Sequence, residues 1–441
     1  MRLRNHSSYQ TASYMEPKRT VSTPHCNAQS SSLSSLVQRR SCRKFLILVA
    51  SLLSIVSLIV LLSFIFPSFV NWLTFAIFGR DLFVDKQISK GPIVQLVDDN
   101  LAMVSWESWQ TGAGTLKWDN STFRINGVLA NYYANNDRVQ VYRQFVKTKP
   151  GPVSYSVTPN GRKTRTFNIT IPAVARKTTI RIAALGDSQF GYQSFSLLLP
   201  EIMKHQPDAF LHLGDMAQNP WKDSDWQVYF FDVLRHAHMI STLPFLITQG
   251  NHDVYDGHAA AYFPPPNELP HKPVGNYYAL TLGAARIIVM DSNSEHEVQL
   301  DWLKKELKST NSKKAPFRIV IVHVPPFIEY WEPTVWRAGE NNWSQYVQRA
   351  VPIFEKYKVD LVLSGHQHNY QRGVRKRVTY VISGGGGGPL DRERVENWEM
   401  YEKTIIEHHY ILLDISESQL NVTMMLKNGD VKDNFLIKHS R

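Results

Sequence analysis

Five short apolar runs between residues 180 and 364 of this chain each break off at a small or apolar residue followed at once by polar donors. They end in Gly186-Asp187-Ser188-Gln189, Gly214-Asp215-Met216-Ala217-Gln218-Asn219, Gly250-Asn251-His252-Asp253, Val322-His323 and Gly365-His366-Gln367-His368. A short run that is apolar throughout, without alternation, reads as a strand buried on both faces. Such strands belong to mostly parallel sheets covered by helices. The carboxyl ends of these strands line a crevice, so donors far apart in the chain converge there. Candidate strands are 180–185, 209–213, 244–248, 286–290, 318–322, 360–363 and 378–382, with another at 410–415. Apolar residues recur at helical spacing over 298–307 and 346–356. From Thr178 onward the expected class is therefore α/β.

One Gly-Asp after a strand is an ordinary turn, and one histidine beside a strand is an ordinary core residue. Five clusters on successive strands are a different matter. Asp187, Gln189, Asp215, Asn251, His323, His366 and His368 supply oxygen and neutral nitrogen but no thiolate. That set suits Zn²⁺, Mn²⁺ or Fe²⁺ rather than a cysteine-based structural zinc.

The preceding segment reads differently. Residues 88–175 hold β-like runs at 93–97, 102–106, 139–146, 153–157 and 166–171, separated by turn residues at 111–114 and 159–161. This rhythm predicts a small all-β sandwich of the fibronectin type III kind, with no residue set of catalytic character. Residues 45–66 carry no charge, and at about 1.5 Å per residue they reach across a hydrocarbon core. One transmembrane signal anchor is expected there. A cleaved signal peptide has a shorter apolar centre and a shorter leader. Ser-rich residues 1–44 read as a disordered tail. With Arg39, Arg40, Arg43 and Lys44 before the apolar run, the positive-inside rule puts this tail in the cytosol and the rest in a lumen or outside the cell. The tail also holds seven of the eleven surplus positive charges of the 441-residue chain, so no nucleic-acid surface is expected. Both cysteines, Cys26 and Cys42, precede the apolar run, so the exported part does without disulfides. Asn120, Asn168, Asn342 and Asn421 begin glycosylation sequons.

The series G-D-x-Q, G-D, G-N-H-D, V-H and G-H-x-H resembles the signature of calcineurin-like metallophosphoesterases across residues 186–368. With the β-rich segment ahead of it and residues 365–372, it is most similar to the purple acid phosphatase branch. The resemblance implies a four-layer α/β/β/α sandwich. It implies that Asp187, Gln189 and His368 hold one metal, that Asn251, His323 and His366 hold the other, and that Asp215 bridges them. His252 would contact the phosphoryl group and protonate the leaving oxygen. The implied cofactors are two divalent ions, Zn, Mn or Fe, and the implied activity is hydrolysis of a phosphate ester, in the manner of an acid phosphomonoesterase. A phosphodiesterase acting on nucleotides or lipid head groups, and a scaffold without catalysis, are the other readings. Purple members carry a tyrosine where this chain has Gln218, and many other relatives carry histidine where it has Gln189. Both departures imply a colourless enzyme with divalent metals.

Several residues stay open at this level. Gly384–Gly388 reads equally as a turn or as a close backbone approach to an anion. Arg372, Arg375, Lys376 and Arg377 read as a solvated hairpin or as a rim for an anionic substrate. Tyr370 packs beneath the metals or touches substrate. Asp253 orients His252 or caps a turn. His408 and His409 read as structural. Substrate choice is expected in loops 256–273 and 329–342.

Overall fold

In the computed structural model the strands run, in chain order, β1 Lys90–Asp98, β2 Leu101–Ser108, β3 Ala113–Trp118, β4 Ser121–Asn126, β5 Val128–Leu129, β6 Gln140–Lys147, β7 Gly151–Thr158, β8 Phe167–Ile171, β9 Ile180–Leu185, β10 Ala209–His212 and β11 Phe245–Ile247. They continue as β12 Tyr278–Leu282, β13 Ala285–Val289, β14 Phe317–Ile321, β15 Leu361–Ser364, β16 Tyr370–Arg375, β17 Val378–Ser383, β18 Tyr401–Ile405, β19 His409–Ile415, β20 Gln419–Leu426 and β21 Val431–Lys438. The helices are α1 Tyr192–Lys204, α2 Asp232–His236, α3 Glu297–Lys308, α4 Thr310–Lys314, α5 Pro333–Arg337, α6 Asn342–Gln348 and α7 Val351–Lys356, and a π-helical turn, Asp225–Phe231, leads into α2. The structure describes residue 54 and residues 88–108, 112–129, 140–159, 166–173, 179–254, 262–263, 276–294, 297–339 and 342–439. The tail 1–44 and, Ser54 aside, the expected anchor 45–66 lie outside the described residues. Among the described residues no helix is long and apolar enough to cross a membrane.

Two sheets form the centre. One is ordered β21-β20-β19-β9-β10-β11-β1-β2-β6-β5 and the other β12-β13-β14-β15-β17-β16-β18. Between them lies one apolar cluster, with Ile182, Ala184 and Leu211 from the first sheet and Ile287, Ile319 and Leu363 from the second. The alternate residues of the same strands face outward. Ala183, Leu185 and Phe210 pack on α1 through Phe195, Leu198, Leu199 and Ile202, which recur at helical spacing. On the other side Ile288, Val320 and Val362 pack with Leu300, Leu303, Val347 and Phe354 from α3, α6 and α7. The result is helix, sheet, sheet, helix. The strands in the middle of both sheets are buried on both faces, which is why they read as unbroken apolar runs.

The sheet order corrects the domain boundary expected between 175 and 178. β3, β4, β7 and β8 form a separate four-stranded sheet, but β1, β2, β6 and β5 extend the ten-stranded sheet of the catalytic region. The join is parallel pairing of β1 with β11, at Gln95 opposite Phe245. β1 is buried on both faces, with Ile93 on the helix side and Val94 and Leu96 on the sheet side, so it is an interior strand of the larger sheet. Residues Pro67–Arg441 accordingly form one compact unit.

Two local expectations also change. Of the turn expected at 111–114, Ala113 and Gly114 begin β3, where Gly114 sits under Tyr142 and Trp106. An added Cβ there would lie 2.9 Å from the Tyr142 ring and 3.2 Å from Trp106. The helix expected over 346–356 is two helices, α6 and α7, parted at Arg349 and Ala350. Pro352 sits in the first turn of α7, where its missing N–H is tolerated but where a continuous helix would lose a hydrogen bond.

Candidate active site

The five donor clusters follow β9, β10 and β11 of one sheet and β14 and β15 of the other, so the site straddles the carboxyl edges of both sheets. Four expected ligands adopt positive φ: Asp187 at 62°, Gln189 at 39°, Asp215 at 56° and His366 at 69°. Side chains other than glycine pay of order 1–3 kcal/mol each for such backbone, so surrounding structure must hold it. It does so with hydrogen bonds between the loops. Asp187 N donates to Gly214 O at 2.9 Å, Gln189 N to Asp215 O at 3.2 Å, and Gly365 N to His323 O at 3.0 Å. His366 N donates to the Asp187 carboxylate at 2.9 Å.

Asp253 anchors this assembly. Its buried carboxylate accepts from Asp215 N at 2.8 Å, Met216 N at 2.9 Å, Ala217 N at 3.4 Å and Gly250 N at 2.8 Å, tying the second loop to the third. Its role is the capping one. The glycine ahead of Asn251 makes room rather than only a turn. A Cβ on Gly250 would lie 2.0 Å from Asp215 Oδ1.

Asp215, His323 and His366 offer ligand atoms within 4.8 Å of one another, and so do Asp187, Asp215 and His368. Asp215 belongs to both groups. Asn251 Oδ1 joins the first, 3.1 Å from His323 Nε2 and 2.9 Å from His366 Nδ1. Gln189 reaches the second with its amide nitrogen, which donates to Asp215 Oδ2 at 3.2 Å. To offer oxygen to a metal its amide must exchange the two atoms by a half-turn.

The histidines are oriented from behind. His323 Nδ1 donates to Leu213 O at 2.7 Å, and His368 Nδ1 to Pro389 O at 2.6 Å, so both present Nε2 to the carboxylates. His366 is turned the other way, with Nδ1 inward and its ring stacked against Trp331 at 4.6 Å. Asp391 fixes the last loop by accepting from His368 N at 2.7 Å. His212 lies beneath the first loop, 3.1 Å from Ser188 Oγ, and burial pushes it down to about 3, so it stays neutral. Trp331, Asp391 and His212 carried no local sequence signal as site residues. Only the loop packing reveals them.

Electrostatics fit the donors to cations. Burial opposes the charge of Asp215, but His323, His252 and His366 outweigh it and hold the carboxyl far below its usual range. Burial also opposes charge on His323, yet Asp215 and Asp187 push it up to about 9, and the Asp187 carboxylate does the same for His368. Without metal, two protons thus neutralise the carboxylates that a cation would neutralise. Metal must expel them, because ligating imidazole is neutral. Apparent affinity should therefore rise with pH up to about 9, with net proton release on metal binding at pH 7. Calorimetry in buffers of different ionisation enthalpy measures that release, and a pH-independent affinity from 6 to 9 would refute it.

His252 lies beside both groups and in neither. Its N donates to Asp215 Oδ1 at 2.8 Å and its Nδ1 to Gln218 O at 2.9 Å, which leaves Nε2 for a substrate. The glycine run is not a free turn. It wedges between the first and last loops, with Gly386 N donating to Gly186 O at 2.9 Å and Gly388 N to Asp187 O at 2.8 Å. Arg372, Arg375 and Lys376, after the last cluster, are held away from the site. Arg372 pairs with Asp433 and Glu402, Arg375 and Lys376 pair with Glu355, and the hairpin carrying them points away along β16. Tyr370 donates to Asp433 at 2.8 Å and its ring meets His409 edge-on, so it is a packing residue. His409, 3.0 Å from Ser383 Oγ, is structural as well.

Residues 180–370 match the family model described as calcineurin-like phosphoesterase. The chain carries a calcineurin-like phosphoesterase domain. The chain is similar to purple acid phosphatases among the curated proteins. It is 28% identical to purple acid phosphatase 5 of Arabidopsis thaliana over 239 residues, covering 52% of this chain and 54% of that protein. It is 31% identical to Fe(3+)-Zn(2+) purple acid phosphatase 12 of the same plant, covering 47% of each. The chain spans about half the length of the curated relatives it matches. Among solved structures, a purple acid phosphatase from yellow lupin seeds shares the fold with a TM-score of 0.65 at 18% identity, over 79% of this chain and 74% of that one.

Proposed function

We propose that this protein is a membrane-anchored, dinuclear metal-dependent phosphoester hydrolase, acting on phosphomonoesters in the manner of an acid phosphatase. The observation that carries the hydrolase reading is Asp215, whose carboxylate is common to two converging ligand groups. Asp187, Gln189, Asp215 and His368 would hold one ion, and Asp215, Asn251, His323 and His366 the other. Two divalent ions held there would supply Lewis-acid stabilisation of phosphoryl oxygens and would acidify bound water. The chain itself does the rest. Asp253 and the loop-to-loop hydrogen bonds hold the strained ligands in place before substrate arrives. Carbonyls of Leu213 and Pro389 fix the imidazole tautomers. His252, kept in register by Gln218 O, donates a proton to the leaving oxygen.

The test is turnover of p-nitrophenyl phosphate by protein reconstituted with Mn²⁺ or Zn²⁺, followed by a profile of monoesters against diesters. Absence of turnover with two metals bound would sink the reading and favour a scaffold. One relative, at 23% identity, is itself named a probable inactive purple acid phosphatase. His252→Ala should lower kcat about 10²- to 10⁴-fold while metal content stays at two, the range for loss of a positioned proton donor. Metal analysis beside kinetics checks this, and a fall in metal content would make His252 a ligand instead. The anchor and the lumenal or extracellular placement rest on the uncharged run at 45–66 and its basic flank. Alkaline carbonate extraction of membranes tests the anchor, since a protein released by it has no spanning helix, and protease protection in sealed vesicles tests the placement.

A further inference from the structure

A cleft of about 740 Å³ opens beside the metal-binding groups, within the range of small-molecule sites. Its walls come from the loop after β9 with the start of α1, the loop after β10, the π-helical turn and the end of the glycine run. Two contacts join it to the chemistry. Gly388 lines it, and a Cβ there would lie 2.8 Å from both Gln189 Oε1 and His368 Cε1. Gln218 lines it too, and its carbonyl holds His252. The cleft therefore adjoins the loops that carry Gln189, His368 and His252.

The lining has a specific chemistry. Phe190, the residue after Gln189, is 44% exposed, although a large apolar ring is normally covered. Tyr192 and Tyr229 line the same space and stack with centroids 5.9 Å apart and planes within 18°. Among these rings stand hydrogen-bonding side chains, Gln193 and Asn219, the latter donating to Asp225 at 2.8 Å, with the cation of Lys222 and the carboxylate of Asp225. Flat rings with amide edges between them suit a planar heteroaromatic group that stacks and pairs along its rim.

We propose that this cleft binds the base of a nucleoside monophosphate, whose phosphate lies at the metal groups and whose nucleoside is the leaving group. The proposal rests on the hydrolase reading for the position of the phosphate. No new chemical step is involved. Water attacks phosphorus, the bond from phosphorus to the ribose oxygen breaks, and that oxygen takes the proton of His252, giving nucleoside and inorganic phosphate.

Adenosine 5′-monophosphate and ribose 5-phosphate share the same leaving alcohol and differ only by the base. With the metal-loaded full chain, kcat/KM should favour adenosine 5′-monophosphate by about tenfold or more. Phe190→Ala and Tyr229→Ala should each bring that ratio toward one, and a general loss of activity cancels in the ratio. Calorimetric binding of the same two ligands gives the comparison without turnover. A protein that hydrolyses neither but binds adenosine 5′-monophosphate more tightly, with the preference lost in the variants, supports the cleft and overturns the hydrolase. Equal kcat/KM and equal binding in the unaltered protein overturn the cleft and leave the hydrolase standing. A preference that survives both substitutions overturns it as well. O-phosphotyrosine preferred over adenosine 5′-monophosphate overturns the nucleoside assignment in favour of an aryl leaving group.

Discussion

Asp215→Asn should leave a folded protein that has lost both metals and nearly all turnover. Asparagine has the same shape and is among the residues that best tolerate the left-handed conformation found here at φ 56°. The amide oxygen can still accept from His252 N. What goes is the negative charge shared by the two ligand groups. Partners that merely orient a metal ligand are worth 10- to 100-fold in affinity, so the shared carboxylate should exceed about 100-fold at each position. Elemental analysis after dialysis should find well under one metal per chain, while circular dichroism stays native. Full metal content with full activity would end the two-metal assignment.

Lys90→Ala should destabilise the protein by about 3–5 kcal/mol, the cost of leaving one member of a buried ion pair alone. Its side chain is fully buried, with Nζ 2.7 Å from Glu107 Oε1 and 2.5 Å from Asp223 Oδ1. Glu107 also accepts from Ser89 Oγ at 2.6 Å and from the Tyr262 hydroxyl. The cluster joins β1 and β2 to the loop that carries Gln218 and Lys222, so the β-rich segment supports the site although it donates nothing to it. Urea unfolding of the single variant and of Lys90→Met with Glu107→Leu decides the cause. The double variant should recover part of the loss, since it removes the two fully buried charges and leaves only the part-exposed Asp223 without its partner. No recovery would mean that the loss came from packing.

Short-range signals made much of this protein legible. Strand, glycine and donor recur at 186–189, 214–219, 250–253 and 365–368 because each is a local unit, an apolar run followed by a tight turn. The strands at 180–185, 318–322 and 378–382 could be read because helices cover the outer face of sheets that already share a core. Residues in the β-rich segment were legible as strands but not as members of a larger sheet, since β1 finds β11 about 150 residues later.

The identity of the donors, their order along the chain and their preference for cations were thus set by the sequence alone, since side-chain chemistry does not wait for folding. Tertiary structure decided that Asp215 is common to two groups, that four ligands take up positive φ, that Asp253 binds two loops and not His252, and that the glycine run is a wedge while the arginine hairpin turns away. Each of these depends on hydrogen bonds or close contacts between segments tens to hundreds of residues apart. No local pattern encodes such pairings, because their energy exists only when both sheets have brought their carboxyl edges together.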